Sequence, residues 1–452
     1  MLNKLIIFII CAAICLTTLA YGTVHQSVIA VFYVSATIVG LLWAIDCFAS
    51  GEIRFSTSFL QIPLIAAIIY GIFQIIPFGS LSEIGGLSGI PRTISLDPFS
   101  TQLIIAYFIA LLIYFGAMLA YIDTAKRLKT VVLTITIFGF CYAFFAILQS
   151  FLSPNKIYGV LEVPFATPFG SFVNRHNFAA FMEMTIAVPF GLLIVGGIPQ
   201  DKRLIYLTAI LLMGVALILS GSRGGLVSLL AMVMFAIFVT TQTKNYGSMV
   251  LKIGLAVGLI ATIIFGASLI GGESSLTRFA ETATSKDITT NRSHIWNVTF
   301  EVIKNNPILG AGIGAFGVAY TSHDTMNGLE RVEQAHNDYL QVAADAGIIG
   351  LLIGGAFLFL LFKTGFKNIK TSNLYRKGVA VGALSGCFAI LVHSIFDFVL
   401  HTTAISLLFL TLVSLVVVSG KGQTDDIEVE KKRKKRKANV TPIEEGRAAR
   451  QK

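Results

Sequence analysis

Twelve runs of about 20 mostly apolar residues divide this chain, each long enough to cross a hydrocarbon layer about 30 Å thick as a helix. They cover about 5–21, 28–49, 60–77, 101–122, 130–152, 177–198, 204–220, 224–241, 250–270, 347–362, 378–398 and 401–419. Inside lipid a backbone must satisfy its own N–H and C=O groups, so runs of this length read as helices. Charged residues are 13% of the 452, against about 25% in a soluble domain. That is too little charge to cover a water-facing surface, which excludes a soluble multidomain enzyme and a disordered chain. Five scattered cysteines exclude a disulfide framework, and no CxxC pair points to metal or redox chemistry. Eleven further runs follow the first, so that one reads as an uncleaved helix flanked by Lys4.

The cations orient the spans. With the N-terminus in the cytoplasm, 25 of the 34 Lys and Arg fall on the cytoplasmic side and nine on the other, as the positive-inside bias requires. The expected architecture is an all-α polytopic membrane protein of about 12 transmembrane helices. Residues 1–270 form a membrane domain with the first nine, 271–346 a large outer loop containing short helices, and 347–419 the last three. Residues 420–452 form a basic cytoplasmic tail. Its run from Lys431 to Lys437 reads as a solvated segment near anionic headgroups, not a nucleic-acid patch. Within the loop, Ser293 to Ile303 and Arg331 to Ala346 are expected to be helical, with Pro307 ending the first.

Outer-side cations run against that bias. Arg223 lies in Ser220-Gly221-Ser222-Arg223-Gly224-Gly225, between two apolar runs. A guanidinium at a membrane boundary costs a few kcal/mol unless it is paired or reaches water. A snorkelling arginine explains the charge but not the glycine collar. Arg292 and Trp296 are one helical turn apart, which also fits cation–indole stacking at an interface. His336, in Ala335-His336-Asn337-Asp338-Tyr339, is a titratable group just before a span, able to exchange a proton near neutral pH. Asn337 and Asp338 are placed to orient it or a sugar hydroxyl. Asn174-Arg175-His176-Asn177 opens the sixth span and reads either as a polar helix start or as part of a binding surface. Gly312 to Gly317 matches GxGxxG but lacks the strand and helix of a dinucleotide site, so a flexible turn is expected. No GxxxxGK[ST], HExxH or outer-side DxD occurs, so neither nucleotide hydrolysis nor a metal is indicated.

In this order, Phe172-Val173-Asn174, the Gly-Ser-Arg-Gly-Gly turn at Arg223, Arg292-xxx-Trp296, Asn306-Pro307-Ile308-Leu309-Gly310-Ala311-Gly312, Ala335 to Gln341 and Asp345-Ala346-Gly347 resemble the O-antigen ligase and polymerase superfamily of bacterial inner-membrane glycosyltransferases. The strongest part covers about 165–355. The resemblance implies a GT-C-like helical fold acting on the periplasmic face without metal or cofactor. It implies a polyprenyl (undecaprenyl) diphosphate-linked glycan as donor, and as acceptor the lipid A core in lipopolysaccharide biosynthesis or another lipid-linked repeat. It also implies that Arg223, Arg292 and His336 are the catalytic residues, with Arg175, Asn174, His176, Asn337, Asp338 and Trp296 as candidate substrate contacts.

A ligase reading leads. An O-antigen or exopolysaccharide polymerase and a protein O-oligosaccharyltransferase follow in the same class. A polysaccharide transporter or flippase is the rival from another class. A transporter should carry ionisable residues at mid-span, where Asp46 and Asp397 are the few candidates and most of the charge sits at the outer boundary. The orientation has a direct check. A reporter active only in the cytoplasm should be active when fused after Lys421 and silent when fused near Thr282. The reverse pattern at both sites would overturn it.

Overall fold

A computed structural model describes residues 2–81, 86, 88–164, 166–241, 292–326 and 332–420, with a few helical positions between 253 and 265. The expected ninth span lies largely outside these residues. So do Arg331, the neighbourhood of Thr282 and the basic tail beyond Gly420.

The chain is a bundle of α-helices: α1 (Leu2–Leu19), α2 (Gln26–Ser50), α3 (Gln61–Gln74), α4 (Pro98–Tyr121), α5 (Ala125–Leu152), α6 (Arg175–Val195), α7 (Arg203–Leu219) and α8 (Arg223–Thr240). Then come the short α9 (Arg292–Asn305) and α10 (Phe316–Thr321), followed by α11 (Asp338–Asn368), α12 (Leu374–His393) and α13 (Thr403–Ser419). Among the described residues, nine helices are long and apolar enough to cross a membrane. Helices α3 and α13 are apolar but have only 14 and 17 residues.

Local chemistry sets where the helices begin. Asp97, Thr124, Asn174, Ser222, Asn337 and Asn373 each accept a hydrogen bond from an amide in the first turn of the helix that follows. Such caps satisfy donors that would otherwise be orphaned. Helix α6 is buried at every position from Asn177 to Leu192, so lipid barely touches it. It packs on α12 through small residues. A Cβ on Gly191 would lie 2.3 Å from the Gly382 amide nitrogen, and one on Gly382 would lie 2.5 Å from the Ala187 carbonyl oxygen. Close backbone approach of this kind is how helices associate where lipid is as apolar as leucine.

The longer connecting segments are ordered by their own contacts. Residues 153–176 contain a two-residue-per-strand hairpin, β1 (Lys156–Ile157) with β2 (Leu161–Glu162), a small exception to the all-α expectation. Gln149 donates to the Gly170 carbonyl, and Ser171 donates to Thr18 O at 2.6 Å, tying this loop to α5 and α1. In the large loop, α9 and α10 close a small core of Val298, Val302, Phe316 and Tyr320.

Three boundaries differ from the expectation. Residues 332–337 are extended and irregular; the helix begins only at Asp338, because Asn337 caps it. Helix α11 then breaks at Gly347 (φ 59°, ψ −155°), a conformation that suits glycine alone. Helix α12 stops at His393, leaving 394–402 as a turn and not as the end of a span. The flexible turn expected at 312–317 is instead pinned where it begins and helical where it ends: Ala311 N donates to Ala344 O at 2.8 Å and Gly312 N to Asp345 O at 2.9 Å, and α10 starts at Phe316. Cβ atoms at Gly310 and Gly347 would each lie 2.3 Å from the opposing backbone, so both positions require glycine.

Gly191→Val forces the α6 and α12 backbones apart. Overpacking costs about 1–3 kcal/mol, so the unfolding midpoint in detergent should fall by roughly 1–3 °C in a chain of this length. An unchanged midpoint contradicts the close helix contact.

Candidate active site

One carboxylate gathers the polar residues at one end of the bundle. Asp397 is 2% exposed, in the turn between α12 and α13. His336 Nδ1 lies 3.2 Å from its Oδ1, and Arg292 Nη2 lies 3.4 Å from its Oδ2. The Arg292 guanidinium also donates to the Phe396 carbonyl. His176 Nδ1 stands 3.9 Å from Asp397 Oδ2 and 2.9 Å from Ser222 Oγ. Burial opposes ionisation of Asp397. The hydrogen bond from His336 and the positive surroundings of His176, Arg292 and His336 outweigh it, holding this carboxyl well below the usual carboxylate range.

These side chains arrive from helix starts. His176 is in the first turn of α6, Ser222 caps α8, Arg292 opens α9, and His336 precedes the Asn337 cap of α11. Four positive helix ends therefore face one anionic region. His336 adopts φ +51°, unusual for a residue with a side chain, and its ring meets Phe398 edge-on at 4.8 Å. With Asp397 ionised, Nδ1 of His336 is the donor, so in the neutral ring the lone pair is on Nε2. That is the tautomer a base needs.

The expected site residues fall into three groups. Arg292, His336 and His176 converge on Asp397. Arg223 is exposed at the first position of α8, one residue from the Ser222 that meets His176, and its neighbour Gly224 packs against His393 and Phe396. Arg175 brings its guanidinium to Gly221: a Cβ built there would lie 3.7 Å from Nη1. The others hold the scaffold. Asn174 caps α6. Asn337 caps α11 and donates to Ile395 O at 2.9 Å. Trp296 donates its indole N–H to Ala335 O at 3.0 Å, beside His336, while the Arg292 guanidinium turns toward Asp397. Asp338 accepts from Ser394 Oγ at 2.7 Å and pairs with His401 Nδ1 at 3.1 Å.

Sequence reading considered Asp397 only as a mid-span transport carboxylate and passed over His393, His401 and Glu183. His393, Asp397 and His401 recur every four residues, a pattern visible in the sequence. Below the site, fully buried His393 Nδ1 meets Glu183 Oε2 at 3.1 Å, and the His393 carbonyl accepts the Asp397 amide at 3.1 Å. Asp46 lies near the end of α2, 2.9 Å from Tyr121 Oη and 3.5 Å from Arg54 Nε. Among the described residues no three His, Cys, Asp or Glu side chains are grouped to hold a metal ion.

Residues 208–355 match the family model described as O-Antigen ligase. This stretch includes Arg223, Arg292 and His336, whereas His176 and Asp397 lie outside it. No curated protein matches the chain.

Asp397→Asn keeps the size of the side chain and removes the charge that orients Arg292 and His336. Activity should fall by about 100-fold, the usual cost of one lost electrostatic contact at a reacting centre. Measured at matched protein level, a loss below about threefold contradicts the central role of this carboxylate.

Proposed function

We propose that the chain, whose residues 208–355 match the O-antigen ligase family model, transfers a glycan from a polyprenyl diphosphate to an acceptor sugar hydroxyl at the periplasmic face of the bacterial inner membrane. The lipid A core is the leading acceptor. The observation that carries this reading is the convergence of Arg292 and His336 on Asp397, beside the start of the helix that bears Arg223.

The roles follow from the charges. The acceptor O–H gives its proton to His336 Nε2 as its oxygen attacks the anomeric carbon. The bond from that carbon to the diphosphate oxygen breaks, and its electron pair stays on the leaving diphosphate. Arg292 and Arg223 neutralise the charge that develops there, aided by the positive ends of α6, α8 and α9. Asp397 holds His336 in its basic tautomer and keeps Arg292 in place; Asn337, Asp338 and Trp296 fix the backbone around His336. Asn174 sets the first turn of α6, through which Arg175 and His176 reach the donor side. A single displacement inverts the anomeric centre. The buried carboxylate of Asp397 is engaged by His336 and Arg292, which argues against its use as a nucleophile. These groups supply the charge and the base without calling on a metal ion.

Arg223→Lys and Arg292→Lys should fail nearly as badly as the alanine variants, because lysine offers a point charge and not a planar fork. Each loss is expected to be about 3 kcal/mol, roughly 100-fold in rate. His336→Ala should abolish transfer while donor binding survives. The readout is surface polymer in a complemented deletion strain. Long lipid-linked chains accumulating in the deletion strain mark a ligase, and single repeats mark a polymerase. Near-normal polymer in both arginine-to-alanine variants returns these residues to a snorkelling role.

A further inference from the structure

Two histidines meet Asp397, and the bonds around them set opposite tautomers. His336 Nδ1 faces Asp397 Oδ1 at 3.2 Å and carries the ring hydrogen. His176 turns the same nitrogen to Ser222 Oγ, at 2.9 Å, and stands 3.9 Å from Asp397 Oδ2, beyond hydrogen-bonding distance. Ser222 is buried, and its Oγ already accepts the Gly225 amide at 3.2 Å as the cap of α8. A hydroxyl has one hydrogen to give. Among the described residues, His176 Nδ1 is the one acceptor within its reach. A hydrogen on Nδ1, in a neutral or a charged ring, would leave that buried O–H unsatisfied, which is costly. Nδ1 of His176 is therefore the acceptor, and the ring hydrogen is on Nε2. Among the described residues Nε2 has no partner, and the side chain is 22% exposed. Arg292, equally exposed, meets the same Oδ2 of Asp397 at 3.4 Å. A neutral N–H donor thus stands beside the guanidinium assigned to the leaving group.

We propose that Ser222 fixes His176 as a neutral hydrogen-bond donor whose Nε2–H contacts the leaving diphosphate beside Arg292, while His336, held by Asp397 in the other tautomer, takes the acceptor's proton. This rests on the transfer reading above. A diphosphate offers only acceptors, so a ring that presented a lone pair to it would repel it, and a ring that presents N–H attracts it. As the bond from the anomeric carbon breaks, its electron pair stays on the diphosphate oxygen. The His176 hydrogen remains on Nε2, because a diphosphate leaves as an anion and needs no proton. The acceptor's hydrogen goes to His336, so one ring gains a proton and the other only donates a hydrogen bond. Ser222 is a positioning residue that acts through the His176 tautomer. Without its hydroxyl, Nδ1 is left with the Asp397 carboxylate at 3.9 Å, which can only accept. The ring hydrogen then moves to Nδ1, and Nε2 turns a lone pair on the diphosphate.

The test is solid-state NMR on frozen full-length protein in dodecyl maltoside, a phosphorus-free detergent, with histidine labelled at its ring nitrogens and farnesyl diphosphate as the probe. The signals lost in His176→Gln are those of His176. Near neutral pH the wild type should show His176 as the Nε2–H tautomer and His336 as the Nδ1–H tautomer. With the probe added, phosphorus should dephase the His176 Nε2 signal more strongly than Nδ1. Ser222→Gly removes the hydroxyl but leaves a tolerated helix cap. It should move the His176 hydrogen to Nδ1 and cut kcat about tenfold, with the acceptor KM within about twofold. His176→Ala should cut kcat about 30-fold, the worth of one hydrogen bond to a charged group. The inference is overturned by a hydrogen on Nδ1 of His176 in the wild type, by a His176 Nε2 that phosphorus does not dephase, or by a near-normal kcat in His176→Ala. If Nε2 meets phosphorus as expected but Arg292→Ala and His336→Ala transfer normally, the transfer mechanism fails and the diphosphate contact stands. If those two variants are inactive and His176 shows no phosphorus contact, the His176 role alone falls.

Discussion

The ion-pair cluster on Asp397 is the contact on which the rest of this end of the molecule depends. A carboxylate at 2% exposure persists only when paired, and three elements far apart in the chain supply its partners. Helix α6 brings His176, α9 brings Arg292, and the segment before α11 brings His336. Removing the charge leaves Arg292 without its anchor and His336 without the acceptor that sets its tautomer. The same group thus organises structure and chemistry, which is usual where a buried charge is retained at a membrane boundary.

That cluster is held from below by packing that leaves little freedom. The α6 and α12 backbones touch through Gly191, Gly378 and Gly382, and the Glu183–His393 pair crosses the same interface. His393 then passes its carbonyl to the amide of Asp397. A shift of α12 along α6 moves the carboxylate directly. From above, the backbone between Ile308 and Gly314 docks on the break at Gly347, and Gln74 of α3 donates to both Leu309 O and Asp345 O. The large loop is therefore part of the membrane scaffold, and its small core presents Arg292 from a fixed helix.

Two polar environments of opposite character flank one histidine. The Arg292 side is cationic and rimmed by helix N-termini; the Asp345 side is lined by carboxylates and continues into an apolar cavity. His336 has the strained φ that lets its ring face Asp397 while its chain neighbours line the cavity.

The sequence by itself determined the spans, most helix starts and three of the reactive candidates. Lipid thickness dictates run length, a short polar side chain before an apolar run dictates a cap, and an arginine or histidine at an outer boundary stands out against the cation bias. Asn174, Ser222, Asn337, Arg223, Arg292 and His336 were legible for these local reasons. Asp397 was visible only as a carboxylate in an apolar run, and its role was not. Tertiary structure alone decided that it meets His176, Arg292 and His336, that α12 stops at His393, and that Asp345 is buried with one oxygen unpaired. Those facts depend on which helices pack together. Packing is set by glycine-scale close contacts between segments distant in the chain, and no periodicity or composition of a single segment encodes them.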